Sequence, residues 1–344
     1  MRRMAYFGWI AVVVTGGALL SSTGSRAAPA SAECSGVGDL NFVCGVTNAE
    51  DVLPVPGGRF LVGSSLKAGS VGLYLIDTTT KRAAPVALSI AGRHDAGDES
   101  CAPPDLKALN THGLDVTSGA SGTLVYAINH GGRESVEIFR LFPERGAAEW
   151  IGCAILPAGA NGNAVSVLPS GSFAVTKFMT VGDAQGIAHI LAGEVTGTVY
   201  LWERGKGFRE VPGTRLSGDN GILVSRDGRW LYVNAYGSNE IVRVPLERRG
   251  ERASVKVDFH PDNLRWAPDG QIFATGQFLG PRNLDARHGW ATVRIDPRTM
   301  KATLLVKEPG YAQFDDATTA VQIGSVLWFG TFRGDRVAYR ALAP

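Results

Sequence analysis

The chain has 344 residues, long enough for one large domain or two of ordinary size. Glycine is abundant at 44 residues and charge is modest, which suits a turn-rich all-β protein and argues against a helical one. A formal net charge of +2, with Lys and Arg scattered along the chain, implies no nucleic-acid or acidic-surface partner.

Arg2 and Arg3 precede an apolar run over 6–20, and a small-residue tract ends in Ala30-Ser31-Ala32, an A-x-A cleavage pattern before Glu33. The run is too short and too rich in glycine for a membrane span. Residues 1–32 therefore read as a cleaved signal peptide, with an uncleaved anchor as the alternative. The mature chain, 33–344, is expected to be exported to the periplasm or secreted, with no stable span after cleavage. Cys34 does not follow a lipobox-like Leu-Ala-Gly. The four cysteines, Cys34, Cys44, Cys101 and Cys153, suggest two disulfides in an oxidising compartment. Four thiols allow three pairings; Cys34–Cys44 would tie down the new N-terminus, leaving Cys101–Cys153. No C-x-x-C occurs, so neither a zinc ribbon nor a redox motif is supported.

Six copies of one unit follow. The clearest is 217–246: an Asn at Asn220, an apolar run over 222–224, a turn at Ser225-Arg226-Asp227-Gly228, a second run over 230–233 and a third over 241–244. Short β-rich runs parted by Gly, Asp and Ser turns read as an antiparallel meander, with Asp227-Gly228 a strong hairpin signal. The first copy begins at Glu50-Asp51, turns at Pro56-Gly57-Gly58, and precedes a polar insert over 93–105. The second begins at His112, passes Asn129-His130, and ends with an alternating run over 136–141 and an outer run over 150–156. The third begins at Asn163 and contains a looser segment, 178–194, that reads as a helix or lid. The fifth begins at Asp262-Asn263 and the sixth at Asp316. Starts fall roughly every 45–60 residues, the range of four-stranded propeller blades. A pair of β-sandwiches is the competing architecture, but the same turn chemistry recurs at the same offset in each copy. The expected fold is one all-β domain, a six-bladed β-propeller.

Inner strands of a propeller line its central channel, so equivalent positions in different copies converge on the axis. Those positions hold Glu50, His112, Asn163, Asn220, Asp262 with Asn263, and Asp316. Carboxylates and amides around one axis form an all-oxygen nest suited to Ca²⁺ or another hard divalent cation. A single Asn or Asp before a strand is an ordinary turn residue, but five of six starts share the pattern. His112 and His130 flank one hairpin, and a His pair beside such an ion can deprotonate a water that attacks a carbonyl. The remaining histidines, His94, His189, His260 and His288, read as surface residues. There is no G-x-S-x-G, and Gly119-Ala120-Ser121-Gly122 reads as a turn.

Asn48-Ala49-Glu50-Asp51, Thr111-His112-Gly113-Leu114, Ala127-Ile128-Asn129-His130, Asn163, Asp219-Asn220-Gly221-Ile222 and Asp262-Asn263-Leu264 resemble the motifs of the paraoxonase/arylesterase family. Its relatives are the gluconolactonase (senescence-marker-protein) and strictosidine-synthase-like propellers, and the resemblance spans nearly all the mature chain. It implies a six-bladed, calcium-dependent hydrolase of lactones and aryl esters. Glu50, Asn163, Asn220, Asp262 and Asn263 would hold the catalytic calcium, and His112 with His130 would form a dyad. The family's second, structural calcium would engage Asp51. Its companion acidic position is Ala164 here, and no cysteine lies near the C-terminus to join the chain ends, so the relationship is distant.

The expected function is an exported metal-dependent hydrolase acting on a small-molecule ester or lactone. The alternatives are a non-catalytic propeller that binds a ligand or protein at the channel mouth, or a condensing enzyme of the strictosidine-synthase type, against which the amide-rich set argues. Substrate identity and oligomeric state are not legible in the sequence.

Overall fold

The computed structural model describes residues 34–92, 94–247, 250–279 and 288–342. The expected leader lies outside the described residues, as do Arg93, Arg248, Arg249 and residues 280–287, which fall between the second and third strands of blade 5.

The described chain is a six-bladed β-propeller of four-stranded antiparallel sheets. From blade 1 to blade 6 the inner strands are Val52–Pro54, Thr111–Gly119, Ala160–Val167, Asp219–Val224, His260–Trp266 and Ala317–Ile323. Each packs against its neighbour around the ring, and blade 1 touches both blade 2 and blade 6. Blades 1 to 5 run outward in chain order. Blade 6 is completed by the strand Asn41–Cys44, which lies antiparallel to Arg336–Ala341 with Asn41 opposite Tyr339 and Cys44 opposite Arg336. The first strand of the described chain is thus the outer strand of the last blade. Sequence reading begins the first copy at Glu50 and assigns no role to 41–44, because a four-residue strand has no repeat of its own to match.

The core is divided among the spaces between blades. Leu231 and Val233 pack with blade 3 side chains Val199 and Leu201, whereas Tyr232, between them in sequence, packs with Leu264 and Ala274 of blade 5. This is the two-residue period of a strand buried on both faces. Each such aliphatic side chain contributes about 1.5–3 kcal/mol when fully buried.

Both expected cysteine pairs are disulfides, Cys34–Cys44 with Cα atoms 6.1 Å apart and Cys101–Cys153 with Cα atoms 5.7 Å apart. The first anchors the closing strand. The second ties the insert after blade 1 to the outer strand of blade 2, Ala147–Ile155. That insert also adds two short strands, Ala87–Ile90 and Ala96–Gly97, parallel to the same outer strand. Neither alternates clearly enough to be read from sequence. The looser segment of blade 3 contains a helix, Gly186–Leu191. Among the described residues no helix is long and apolar enough to cross a membrane.

Candidate metal centre and histidine relay

Five inner strands break register, four of them at the positions the sequence singles out. The pairing slips between Thr111 and Leu114, Gly162 and Val165, Asp219 and Ile222, Pro261 and Leu264, and Ala317 and Thr319. Such bulges re-aim a side chain that regular alternation would send elsewhere. They contain His112, Asn163, Asn220, Asp262 with Asn263, and Thr318. Neighbouring blades lock the bulged backbones. Thr176 Oγ1 donates to the Asn220 carbonyl oxygen at 2.7 Å, Asn234 Nδ2 to that of Asp262 at 2.6 Å, and Gln277 Nε2 to that of Ala317 at 3.0 Å. Thr318 Oγ1 donates to the carbonyl oxygen of Glu50. Two glycines permit the close approach: a Cβ on Gly113 would lie 2.5 Å from the Asn163 carbonyl oxygen, and one on Gly221 would lie 2.3 Å from that of Asp262.

Glu50, His112, Asn163, Asn220 and Asp262 line one cavity of about 350 Å³. Asn263 is joined to them through its Nδ2, which donates to Glu50 Oε1 at 2.6 Å. Glu50 Oε2 and the Oδ1 atoms of Asn163, Asn220 and Asn263 are buried without a hydrogen-bond partner. Buried oxygens are normally satisfied, so four open ones from four blades form an unbalanced electronegative cluster. The carboxylates respond accordingly. Burial, then the charges of Asp262 and Asp51, push the Glu50 carboxyl well above the usual range. Burial lifts Asp262 to about 7, against the hydrogen bond from Gln277. Oxygen-only donors, two of them carboxylates, fit a hard cation such as Ca²⁺. Among the described residues no three His, Cys, Asp or Glu side chains are grouped for metal ligation, so any such site depends on the amides.

Beside these oxygens, His112 Nδ1 lies 3.0 Å from His130 Nε2, and His130 Nδ1 lies 2.9 and 3.0 Å from the two oxygens of Glu134. Glu134 is fixed by the Gly162 N–H at 3.0 Å and by Asn161 Nδ2 at 3.3 Å. The carboxylate assigns the tautomers: His130 Nδ1–H donates to Glu134, His112 Nδ1–H donates to His130 Nε2, and His112 Nε2 is left as a lone-pair acceptor. That nitrogen stands 3.8 Å from Glu50 Oε2. Burial, then the neighbouring His130, hold the His112 ring well below the ordinary imidazole range, so it is neutral at pH 7.

Sequence reasoning missed three features. Glu134 was visible four residues after His130, a spacing that places it on the same turn. Gln277 and Tyr236 were not visible: Tyr236 Oη donates to Gln277 Oε1 at 3.1 Å, and Gln277 Nε2 donates to Asp262 Oδ2 at 2.8 Å, orienting that carboxylate. The third is Arg265, the only charged residue in an otherwise apolar segment, Leu264-Arg265-Trp266. Its guanidinium is bonded to Asp51. Asp51 therefore already holds a cation, and the residues do not fit a second structural ion there. Two other expectations shift. Asp316 pairs with Arg333 at 3.1 Å, so its carboxylate is engaged at the rim. His260 is partly buried, with its Nδ1 2.8 Å from the Tyr236 carbonyl oxygen and its ring against the Tyr236 ring. Leu66, Phe178, Met179, Ile187, Leu279 and Phe332 form the apolar wall of the cavity.

No family model and no curated protein matches the chain. Its fold is similar to that of a luciferin-regenerating enzyme, with 12% identity over 88% of this chain and 93% of that one and a TM-score of 0.57. It is similar to a candidate gluconolactonase at 17% identity, covering 88% and 92%, with a TM-score of 0.54. It is also similar to a calcium-binding protein, regucalcin, from Agrobacterium tumefaciens at 15% identity, covering 87% and 91%, with a TM-score of 0.55. At these identities the likeness is one of fold.

Proposed function

We propose that the chain is an exported, calcium-dependent hydrolase of lactones or of aryl and carboxylic esters, related to the paraoxonase/arylesterase family. The observation that carries the reading is that partnerless buried oxygens of Glu50, Asn163 and Asn220, with that of Asn263 joined through Glu50, share one cavity with the free Nε2 of a histidine relay. Names among the structural neighbours, a candidate gluconolactonase and a calcium-binding protein, are in keeping with it. Two disulfides suit an oxidising compartment, in keeping with export.

Glu50, Asn163, Asn220, Asp262 and Asn263 would hold the cation, with Gln277 turning the Asp262 carboxylate. When bound, calcium would supply electrostatic stabilisation of the charge that develops on the substrate carbonyl oxygen. His112 Nε2 takes a proton from water as the water oxygen bonds to the carbonyl carbon. The charge this leaves on the ring is spread toward His130 and balanced by Glu134, as a buried carboxylate balances a catalytic imidazolium. Collapse of the tetrahedral adduct breaks the bond to the leaving oxygen, and His112 returns the proton to it. In a lactone the ring opens to a hydroxy acid. The apolar wall of Phe178, Met179, Ile187 and Phe332 excludes water from the rest of the cavity and packs the non-reacting part of the substrate.

The test is hydrolysis of phenyl acetate and of γ-lactones by the purified mature chain, with calcium and after exhaustive chelation. Activity is expected with calcium, loss on chelation, and recovery on adding calcium back. Undiminished turnover by protein shown to be metal-free would overturn the proposal.

A further inference from the structure

One residue past Glu50 and two past Asn263, the channel changes character. Arg265 lies in the inner strand of blade 5 and is 6% exposed. A guanidinium cannot shed its charge, so burying one demands acceptors for its donors; the two Nη atoms of Arg265 find them, while its Nε is buried without one. Arg265 Nη2 donates to Asp51 Oδ2 and to the Leu114 carbonyl oxygen at 3.3 Å, and Nη1 donates to the Leu264 carbonyl oxygen at 2.6 Å. Asp51 is fully buried; its Oδ2 also accepts the Leu114 N–H at 2.7 Å, and its Oδ1 has no partner. Blades 1, 2 and 5 thus meet on a single positive charge held by one carboxylate and two carbonyls.

The two levels of the channel use the same strands differently. Glu50 and Asn263 present oxygens with no hydrogen-bond partner, whereas Asp51 and Arg265, one and two residues further on, form an ion pair. Carboxylate and carbonyl oxygens around one charge are the donor set of a hard cation. We propose that Arg265 is a tethered cation filling an oxygen-lined site in the channel core. The wild-type chain then takes no metal ion at that level, and removing the guanidinium opens a site there for a divalent cation. Asp51 is the carboxylate bonded to the guanidinium, whereas Asp115, within reach of both charges, has its two oxygens accepting the Val116 and Val167 N–H groups. With one carboxylate available to coordinate, the opened site binds calcium weakly, since affinity follows the number of charged ligands. The inference rests on the Asp51–Arg265 pair, not on the hydrolase reading.

The experiment is ion counting by equilibrium dialysis at millimolar calcium, paired with thermal melts with and without calcium, for wild type, Arg265→Ala, Arg265→Lys and the double variant Asp51→Asn/Arg265→Met. Arg265→Ala is expected to bind one ion more than wild type and to recover, on adding calcium, most of the melting temperature it loses without it. Arg265→Lys, which keeps a tethered cation, and the double variant, which removes both charges, are expected to match wild type in ion count. Equal counts for wild type and Arg265→Ala overturn the proposal. So does Arg265→Ala that stays unfolded at every calcium concentration, and so does a wild-type ion that is lost in Asp51→Asn/Arg265→Met. A wild-type count of zero would instead defeat the metal-dependent hydrolase reading, while a rise from zero to one in Arg265→Ala would still uphold this one.

Discussion

Asn263 donates its amide to Glu50 Oε1 at 2.6 Å across 213 residues of sequence, and this leaves Glu50 Oε2 and Asn263 Oδ1 buried and open side by side. Blades 1 and 5 are joined at the hub by a bond that uses half of each side chain's capacity. The other half is what a cation would take.

Replacing Glu50 by Gln removes a charged donor while preserving shape. Calcium should raise the melting temperature of wild type and not that of Glu50→Gln, because a ligand bound only by the native state stabilises it, by about 2.7 kcal/mol at a hundredfold excess over Kd. Hydrolysis should vanish in the same variant. Differential scanning calorimetry with and without calcium decides the matter; an equal calcium response in both proteins would remove Glu50 from the site.

His112→Gln should lower kcat by about 10²–10⁴-fold, the usual contribution of a positioned general base. Glu134→Gln leaves the relay's shape but unties the tautomer of His130, so kcat should fall with little change in KM. Stopped-flow or steady-state assays across pH separate the two. If replacing His112 and His130 together leaves hydrolysis of every ester and lactone untouched, a non-catalytic binding role gains the ground.

The metal-free protein should lose stability as pH rises from about 4 to about 7. Asp262 titrates at about 7 when folded and about 3.9 when unfolded, so between those values the native state holds a proton that the unfolded chain has released. Stability from this group is full below the lower value and gone above the upper one. Calcium, which requires the ionised carboxylate, should bind more weakly as pH falls below about 7. Melting curves against pH for wild type and Asp262→Asn, without metal, test this: the slope should flatten in the variant, and identical slopes would contradict it.

Gly221→Ala should destabilise the fold by about 1–3 kcal/mol, the usual range for overpacking. The added methyl meets the Asp262 carbonyl oxygen at 2.3 Å and the Asn263 Cα at 2.6 Å, both backbone atoms that cannot swing away. Because the push falls on Asp262 and Asn263, calcium affinity should drop with it. Urea unfolding and calcium titration of the variant read the two effects, and an unchanged unfolding midpoint would show that the inner strands have room to part.

The repeated turn chemistry and the short β-rich runs were enough to determine six blades, because each blade is built from local meanders and period-two burial that neighbouring residues encode. The recurrence of Asn, Asp, Glu and His at the strand starts also marked the side chains that share the cavity, Asp316 excepted, since position within a repeat is position around the axis. Only the tertiary structure decided how they meet. The closing strand 41–44 pairs with a partner about 300 residues away, and the bulged backbones at Asn220 and Asp262 are held by pegs from the blade next door. Arg265 reads in sequence as a charge misplaced in an apolar strand; its partner, Asp51, lies 214 residues earlier. Local pattern fixes which way a strand alternates, but a buried charge is balanced in space, and that balance is set by whichever distant side chains the ring brings to the same few ångströms.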